Sequence, residues 1–388
     1  MPLRRDLARG RQNAPMPGLA RVATFSFVVV LLGGCAQPGR MAEPSGFGPT
    51  AAREAILRVL PANVEDRAGW ATDIHAALAT LELPSTPDNL CAVIAVTEQE
   101  STFRADPAVP GLPAIAWKEI YARADNAGVP KVAVRAALAL KSSDGRSYTE
   151  RIDAVKTERQ LSEIFEDFIG MVPLGKTWLA DRNPVRTGGP MQVSIAFAEA
   201  HAQSRRYPYP VNGSLRHEVF TRRGGLYFGA AHLLAYDAPY DKLLYRFADF
   251  NAGRYASRNA AFQQALSVAS GLPVKPDGDV LPRSNNAPRG ETERAADTLA
   301  ARLGLSEAAI HRDLERGDEA GFDKTELVQR VFAYAERLDR RTLPRAVVPR
   351  IDLQSPKFTR KLTTEWFANR VDERHRRCLA RIGTPPDL

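Results

Sequence analysis

From residue 53 onward, apolar residues in this 388-residue chain recur at intervals of three and four almost throughout, the spacing of helices that each bury one face. A chain patterned in this way is confined to an all-α fold, in which helices build the core by packing on one another. The segments 53–60, 66–81 and 88–103 carry the pattern, and Thr86-Pro87 offers the third an N-cap and a proline at its first helical position. A stretch from about 113 to 186 holds further helical patterns at 114–122, 132–140 and 161–171. Helices are expected next near 190–204, 224–236, 242–252 and 254–270. The segment 271–290 is dense in Pro, Gly, Asn and Asp and breaks the pattern. Beyond it lie helices near 291–303 and 306–316, with Gly304 as a stop and Ser306 as a cap, and two more near 324–338 and 358–381. A short extended piece is expected at 346–353, and no internal repeat is present.

The amino terminus has another character. Arg4, Arg5, Arg9, Arg11 and Arg21 precede an uncharged apolar run at 22–32, the layout of a secretory signal. The run is shorter than the roughly 20 apolar residues a membrane-spanning helix needs. It ends in Leu32-Gly33-Gly34-Cys35, which looks like a bacterial lipobox, with Cys35 as the acylated first residue of the mature chain. Several acyl chains give stable attachment, because each buried methylene contributes about 0.8 kcal/mol and one chain alone is marginal. Ala36 stands where a signal for inner-membrane retention would place Asp, so the expected location is the periplasmic face of the outer membrane, lipid-anchored. The expected organisation is a signal peptide at 1–34, a flexible tether at 35–49, a catalytic domain at 50–270 with an insertion at about 113–186, and a helical carboxyl-terminal region at 291–388.

Charge and cysteines narrow the function classes. The signal carries five arginines against one aspartate, so its removal lowers the net charge by four, from +8 to +4. That modest excess suits an anionic polymer and is too weak to argue for nucleic acid. The six histidines are scattered without metal-ligand spacing, and Asp277-Gly278-Asp279 lacks the further ligands of a calcium loop and reads as a polar turn. After Cys35 there remain Cys91 and Cys378, an even pair in an oxidising compartment. Either a disulfide joining the two helices or a buried free Cys91 packing as a small hydrophobe accounts for them. A Cα–Cα separation above about 7 Å would exclude the bridge.

Three motifs carry the chemistry: Glu100-Ser101-Thr102-Phe103 closing a helix, Gly189-Pro190-Met191-Gln192 expected to open one, and Phe250-Asn251-Ala252-Gly253 ending a third. General-acid work near neutral pH needs a carboxyl whose pKa is raised, and apolar surroundings raise it. Glu100 continues the face of Val93 and Val96, but Glu98 follows Cys91 and Ile94 at the same spacing. The two glutamates lie about 200° apart around the helix, so one cleft can receive only one of them.

Together the motifs resemble those of the lysozyme-like lytic transglycosylases, the superfamily of the soluble lytic transglycosylases and goose-type lysozymes, which cleave the glycan strands of peptidoglycan. The likeness covers roughly residues 85–110 and 186–270; the other helices are similar to those of an uncharacterised family of bacterial lipoproteins. It implies a lysozyme-like α domain and selects Glu100, the Glu directly followed by Ser101, as the acid. It further implies that Ser101, Gly189, Met191, Gln192, Phe250 and Asn251 line or order the glycan groove, and that no cofactor or metal is needed. In the implied reaction Glu100 protonates the oxygen between N-acetylmuramic acid and N-acetylglucosamine. It then takes the proton of the muramic C6 hydroxyl as that oxygen closes a 1,6-anhydro ring on C1.

The chain departs from that family in three places. Pro190 replaces a leucine, Phe250 lacks the hydroxyl of the usual tyrosine, and 88 positions separate Ser101 from Gly189, several times the family's spacing. Tyr227, Tyr245 and Tyr255 are candidates to supply the missing hydroxyl, and the insertion could wall the groove. Two rival readings follow: an inactive peptidoglycan-binding or scaffold lipoprotein, and a hydrolytic muramidase. The latter needs a second carboxylate, for which Asp106, Asp181 and Asp249 neighbour the motifs.

Overall fold

Thr86 starts the helix of the first motif by accepting a hydrogen bond from the Asn89 amide at 3.1 Å, with Pro87 locked at the first helical position, where a missing N–H costs nothing. In this computed structural model, which describes residues 46–171, 177, 179, 182–282, 288–353 and 361–383, that helix is the third of an all-α fold. The chain opens with α1 (Pro49–Val59), α2 (Arg67–Thr80) and α3 (Pro87–Ser101). Four more helices follow, α4 (Leu112–Asn126), α5 (Lys131–Leu138), α6 (Tyr148–Asp153) and α7 (Glu158–Gly170). An antiparallel hairpin, β1 (Thr187–Gly188) with β2 (Val193–Ser194), leads into α8 (Ile195–Ser204), α9 (Leu215–Val219), α10 (Arg222–Leu234), α11 (Leu243–Ala252) and α12 (Ala256–Ser270). After the Pro- and Gly-rich break come α13 (Glu291–Asp297), α14 (Ala300–Leu303), α15 (Glu307–Leu314) and α16 (Glu326–Asp339). A second small hairpin, β3 (Asp352–Leu353) with β4 (Leu362–Thr363), delivers the chain to α17 (Thr364–Ile382).

Three separate apolar clusters hold these helices. The first joins α1, α2, α3, α10 and α11 with α17, through fully buried side chains such as Ile56, Ile74, Leu90, Tyr227 and Phe247. α3 lies at its centre, buried at every position from Leu90 to Thr97, and each such large aliphatic contributes about 1.5–3 kcal/mol relative to exposure. The second cluster packs α12 against α13, α15 and α16 around Phe262, Phe322, Leu327 and Val331. The third, small, sits among α4 to α7 around Leu112, Leu138, Tyr148, Ile152 and Ile164.

The segment from α4 to α7 therefore carries its own core, tied to the loop after the first motif. Val109 donates its amide to the Lys156 carbonyl at 2.8 Å, and Asp106 accepts from Thr157 Oγ1 at 3.0 Å and Arg159 Nε at 2.8 Å. The partition at residue 291 needs revision in two respects. α12 faces the second core although it precedes the break, because Ala261, Phe262, Ala265 and Leu266 point that way. α17 returns to the first core, laying Phe367, Ala368, Val371 and Ile382 against it, in contact with α3 and α11.

Cys91 and Cys378 form a disulfide, with Cα atoms 5.5 Å apart, that staples α17 to α3. It closes a loop spanning 287 positions, and in the chain-entropy account such a constraint on the unfolded state is worth on the order of 5 kcal/mol. Among the described residues no helix is long and apolar enough to cross a membrane. Cys35 and the signal region lie outside the described residues.

Candidate functional site

α3 ends abruptly, because Thr102 and Phe103 both take left-handed backbone angles, φ 50° and 59°. Side chains support this stop. Ser101, only 5% exposed, donates its hydroxyl to the Thr97 carbonyl at 3.1 Å and accepts the Arg104 amide at 3.3 Å. Phe103 turns back into the core and meets Trp70 edge to face, with ring centroids 5.5 Å apart. Ser101 is thus occupied in closing the helix. Glu100 stands half-buried on the last turn, one residue before this plug.

The choice between the two glutamates has a geometric counterpart. Glu98 is turned toward α17, where its carboxylate lies 3.5 Å from Arg374 Nε and 3.8 Å from Arg377 Nη2. With Glu98 committed to that side, helical geometry sends Glu100 to another face.

The second motif differs from expectation. Gly189 to Gln192 form the turn of the β1–β2 hairpin, the Gln192 amide bonding the Gly189 carbonyl at 3.1 Å, and α8 begins only at Ile195 under a Ser194 cap. Pro190 therefore serves a turn and not a helix start. Gly189 has φ +73°, and a Cβ there would meet the Val219 carbonyl oxygen at 2.0 Å. The turn lies directly on α10, where a Cβ on Gly225 would strike Pro190 Cδ at 2.3 Å and one on Gly229 would strike Met191 Sδ at 2.3 Å. Met191 is wholly buried in this contact, so it fixes the turn and has no surface to offer a glycan. Gln192 remains half-buried, with Nε2 donating to the Gly189 carbonyl at 3.2 Å and Oε1 accepting from Thr187 Oγ1 at 3.4 Å.

In the third motif Asn251 is exposed and accepts a hydrogen bond from Thr364 Oγ1 at 2.9 Å, joining the end of α11 to the start of α17. The Phe250 ring packs on His232 at 5.2 Å. The three tyrosines proposed to replace its missing hydroxyl have other partners. Tyr227 reaches His201 Nε2 at 3.3 Å, Tyr245 lies against Tyr240, and Tyr255 sits beneath Arg258, 4.3 Å from its ring centre.

Two buried acids complete the neighbourhood, and sequence reasoning gave neither its role. Asp249, 1% exposed, accepts from the amides of Ser257 at 2.7 Å and Tyr255 at 3.1 Å and from the hydroxyls of Tyr236 and Tyr240. Burial pushes its pKa up to about 6, against the opposing effect of those donors. It anchors the turn between α11 and α12. Glu218, fully buried, accepts from Tyr207 at 2.9 Å and the Asn212 amide at 3.1 Å, and so fixes the segment whose Val219 carbonyl supports Gly189. Glu218 lies on a five-residue helix, too short to show a period, whereas Asp249 was visible beside its motif. Asp106 is committed to Thr157 and Arg159, and Asp181 lies outside the described residues.

The three motifs thus belong to one packing unit: α3 and the hairpin both touch α10, α10 touches α11, and α17 binds α3 to α11. A cleft of about 580 Å3 opens beyond the third motif, where Ala252 and Gly253 line it; Glu100 and Gln192 are not among its walls. Among the described residues no group of three or more His, Cys, Asp or Glu is placed to hold a metal. The Asp277-Gly278-Asp279 turn is instead docked on α12, Gln263 Oε1 accepting the Gly278 amide at 2.8 Å and Asn259 donating to the Gly278 carbonyl at 3.1 Å.

These features define an all-helical protein whose half-buried helix-end glutamate is backed by a disulfide-stapled core. The chain belongs to the family described as "Protein of unknown function (DUF1615)", which it matches over residues 63–381, a span that takes in the second and third cores and all of the first but α1, Phe47, Leu60 and Ile382. It is 50% identical over 351 residues to the "Uncharacterized protein YaiW" of Escherichia coli (strain K12), covering 90% of this chain and 96% of that relative. No solved structure matches it.

Proposed function

We propose that this chain is a membrane-anchored lytic transglycosylase of peptidoglycan, held by lipid on Cys35 at the periplasmic face of the outer membrane. The observation that carries the reading is the division of labour on α3: Glu98 faces the arginines of α17, and Glu100 stands half-buried at the plugged helix end, in the same core as the other two motifs. Glu100 protonates the glycosidic oxygen between N-acetylmuramic acid and N-acetylglucosamine, then accepts the C6 hydroxyl proton as O6 bonds C1. No water is consumed, so a single carboxyl suffices. Asp249 and Asp106 are both held in other hydrogen bonds, which favours this route over a two-carboxylate hydrolysis. Gln192, half-buried at the turn of the hairpin with its amide held by Gly189 and Thr187, is the group suited to hold an acetamido sugar.

The burial of Met191 and the absence of a hydroxyl at Phe250 favour a second reading, in which the chain binds glycan strands without cleaving them. One experiment separates the readings: mass spectrometry of the fragments released from purified sacculi by the detergent-solubilised full chain and by its Glu100→Gln variant. Products ending in 1,6-anhydro-muramic acid from the wild type alone are expected. Reducing muramic ends would replace transglycosylation by hydrolysis, and sacculus binding without any product would leave a binding protein.

A further inference from the structure

A helix whose outer side meets only water sets charged and polar residues there. α5 does not. Of its eight residues only Leu138 is buried and Val134 half-buried, and the exposed positions hold Lys131, Arg135 and otherwise nothing but valine and alanine. Val132 is 81% exposed, and Val129 before the helix and Leu140 after it are 39% and 55% exposed. The side of α5 away from the core is therefore apolar as well.

Its charge is one-sided too. From residue 126 to residue 143 there are three cations, Lys131, Arg135 and Lys141, and no acid. Among the described residues Lys131 and Arg135 have no carboxylate within ion-pair distance and lie instead over rings of α4, Lys131 Nζ 5.4 Å from the Tyr121 centre and the Arg135 guanidinium 5.2 Å from that of Trp117. These two rings stack at 5.4 Å, half-buried, and Trp117 Nε1 donates to Asp153 at 2.7 Å, so the platform under the cations is fixed. The acids nearby are engaged elsewhere: Glu119 with Arg123 at 2.6 Å, Asp144 with Arg146 at 2.6 Å, and Glu150, whose pKa Lys141 helps to lower, with the Ser147 cap.

At about 100° per residue, Lys131, Arg135 and Val132 fall within one arc of roughly 100° around the helix. An exposed apolar side chain flanked by cations and by aromatic rings suits the boundary between the headgroups and the acyl chains of a bilayer. Eight residues make a helix of about 12 Å, too short to span a bilayer but able to lie on one. Three cations without an acid match a surface that carries negative charge. We infer that α5 docks on the surface of a bilayer containing anionic lipid, with Val132 entering the headgroup layer and Lys131 and Arg135 meeting the phosphates. This contact depends neither on Glu100 nor on the acyl group proposed at Cys35.

The chain from residue 44 onward is a compact unit that holds all three cores and lacks Cys35, so its cosedimentation with vesicles reads the contact alone. Binding to vesicles of phosphatidylethanolamine with phosphatidylglycerol is expected to be at least tenfold tighter than to vesicles of phosphatidylcholine. Each cation near an anionic surface strengthens binding about fivefold, so Lys131→Gln/Arg135→Gln should weaken it about twentyfold. Val132→Ser, which alters no charge and no buried contact, should weaken it severalfold. Lys275→Gln/Lys324→Gln, exposed cations elsewhere on the chain, should leave it unchanged, and thermal unfolding of each variant checks the fold. Equal binding to the two kinds of vesicle, undiminished binding by Lys131→Gln/Arg135→Gln or by Val132→Ser, or an equal loss in the control pair would each overturn the assignment. Binding to neither vesicle would overturn it as well and leave the face to a protein partner.

Discussion

Asp249 shows how one residue beside a motif acquires its role from burial. Its carboxyl is held by two amides and two tyrosine hydroxyls, which favour the charged form, yet burial prevails and the folded-state pKa rises to about 6. Between the ordinary carboxyl value near 4 and that figure, the folded chain holds a proton that the unfolded chain has lost. Stability from this group is then highest at low pH and falls as pH rises from about 4 to 6, by on the order of 3 kcal/mol at most, and stays level above. Denaturant unfolding of the wild type and Asp249→Asn at a series of pH values should show this fall in the wild type only. Identical pH profiles would show that Asp249 has no raised pKa. The location of this residue was legible in the sequence, since it adjoins Phe250, but its hydrogen-bond partners at 236, 240, 255 and 257 could be gathered only by the fold. Likewise, periodicity left Glu98 and Glu100 equivalent until the arginines of α17 were placed opposite one of them.

At the scale of elements, caps were readable and the hairpin was not. Thr86 and Ser306 accept the amides of Asn89 and Ala309, as their side chains dictate, and Gly304 ends its helix at φ 63°. The β1–β2 strands are two residues each, too short for any alternation to show, so the motif between them resembled a helix start. What the sequence did display, without explaining it, is the row of glycines in α10. Alanine is favoured over glycine by about 1 kcal/mol inside a helix, so Gly225→Ala should stabilise if α10 stood alone. Here the added methyl meets Pro190 Cδ at 2.3 Å and the Val219 carbonyl at 2.8 Å, and relieving such overlap costs about 1–3 kcal/mol by displacing backbone on both sides. The overlap outweighs the propensity. Gly225→Ala is expected to lower the melting temperature by a few degrees in circular dichroism, and a rise would mean that the hairpin does not bear on α10 as tightly as this geometry requires.

For the whole molecule, the number of cores follows from contacts that no local pattern announces: α12 continues the first domain in sequence and serves the second in space, and α17 does the reverse. The helices at 112–126 and 158–170 matched their periodicity, but the independence of the segment they belong to depends on how little it shares with the rest. α5 buries a single residue, Leu138, and α4 only Leu112 and Ala116, whereas α3 buries nine of its fifteen. Local opening is governed by such differences, because a helix with one buried side chain has little to lose when it unfolds while the body persists. The amides of α5 should therefore exchange with deuterium at least a hundredfold faster than those of α3, a gap of about 3 kcal/mol in opening free energy. Hydrogen-exchange mass spectrometry at neutral pH measures this directly. Equal protection would mean that the insertion is clamped by contacts beyond its own core; the expected contrast would make it the part of the molecule free to yield while α3, holding Glu100 and stapled through Cys91, stays fixed.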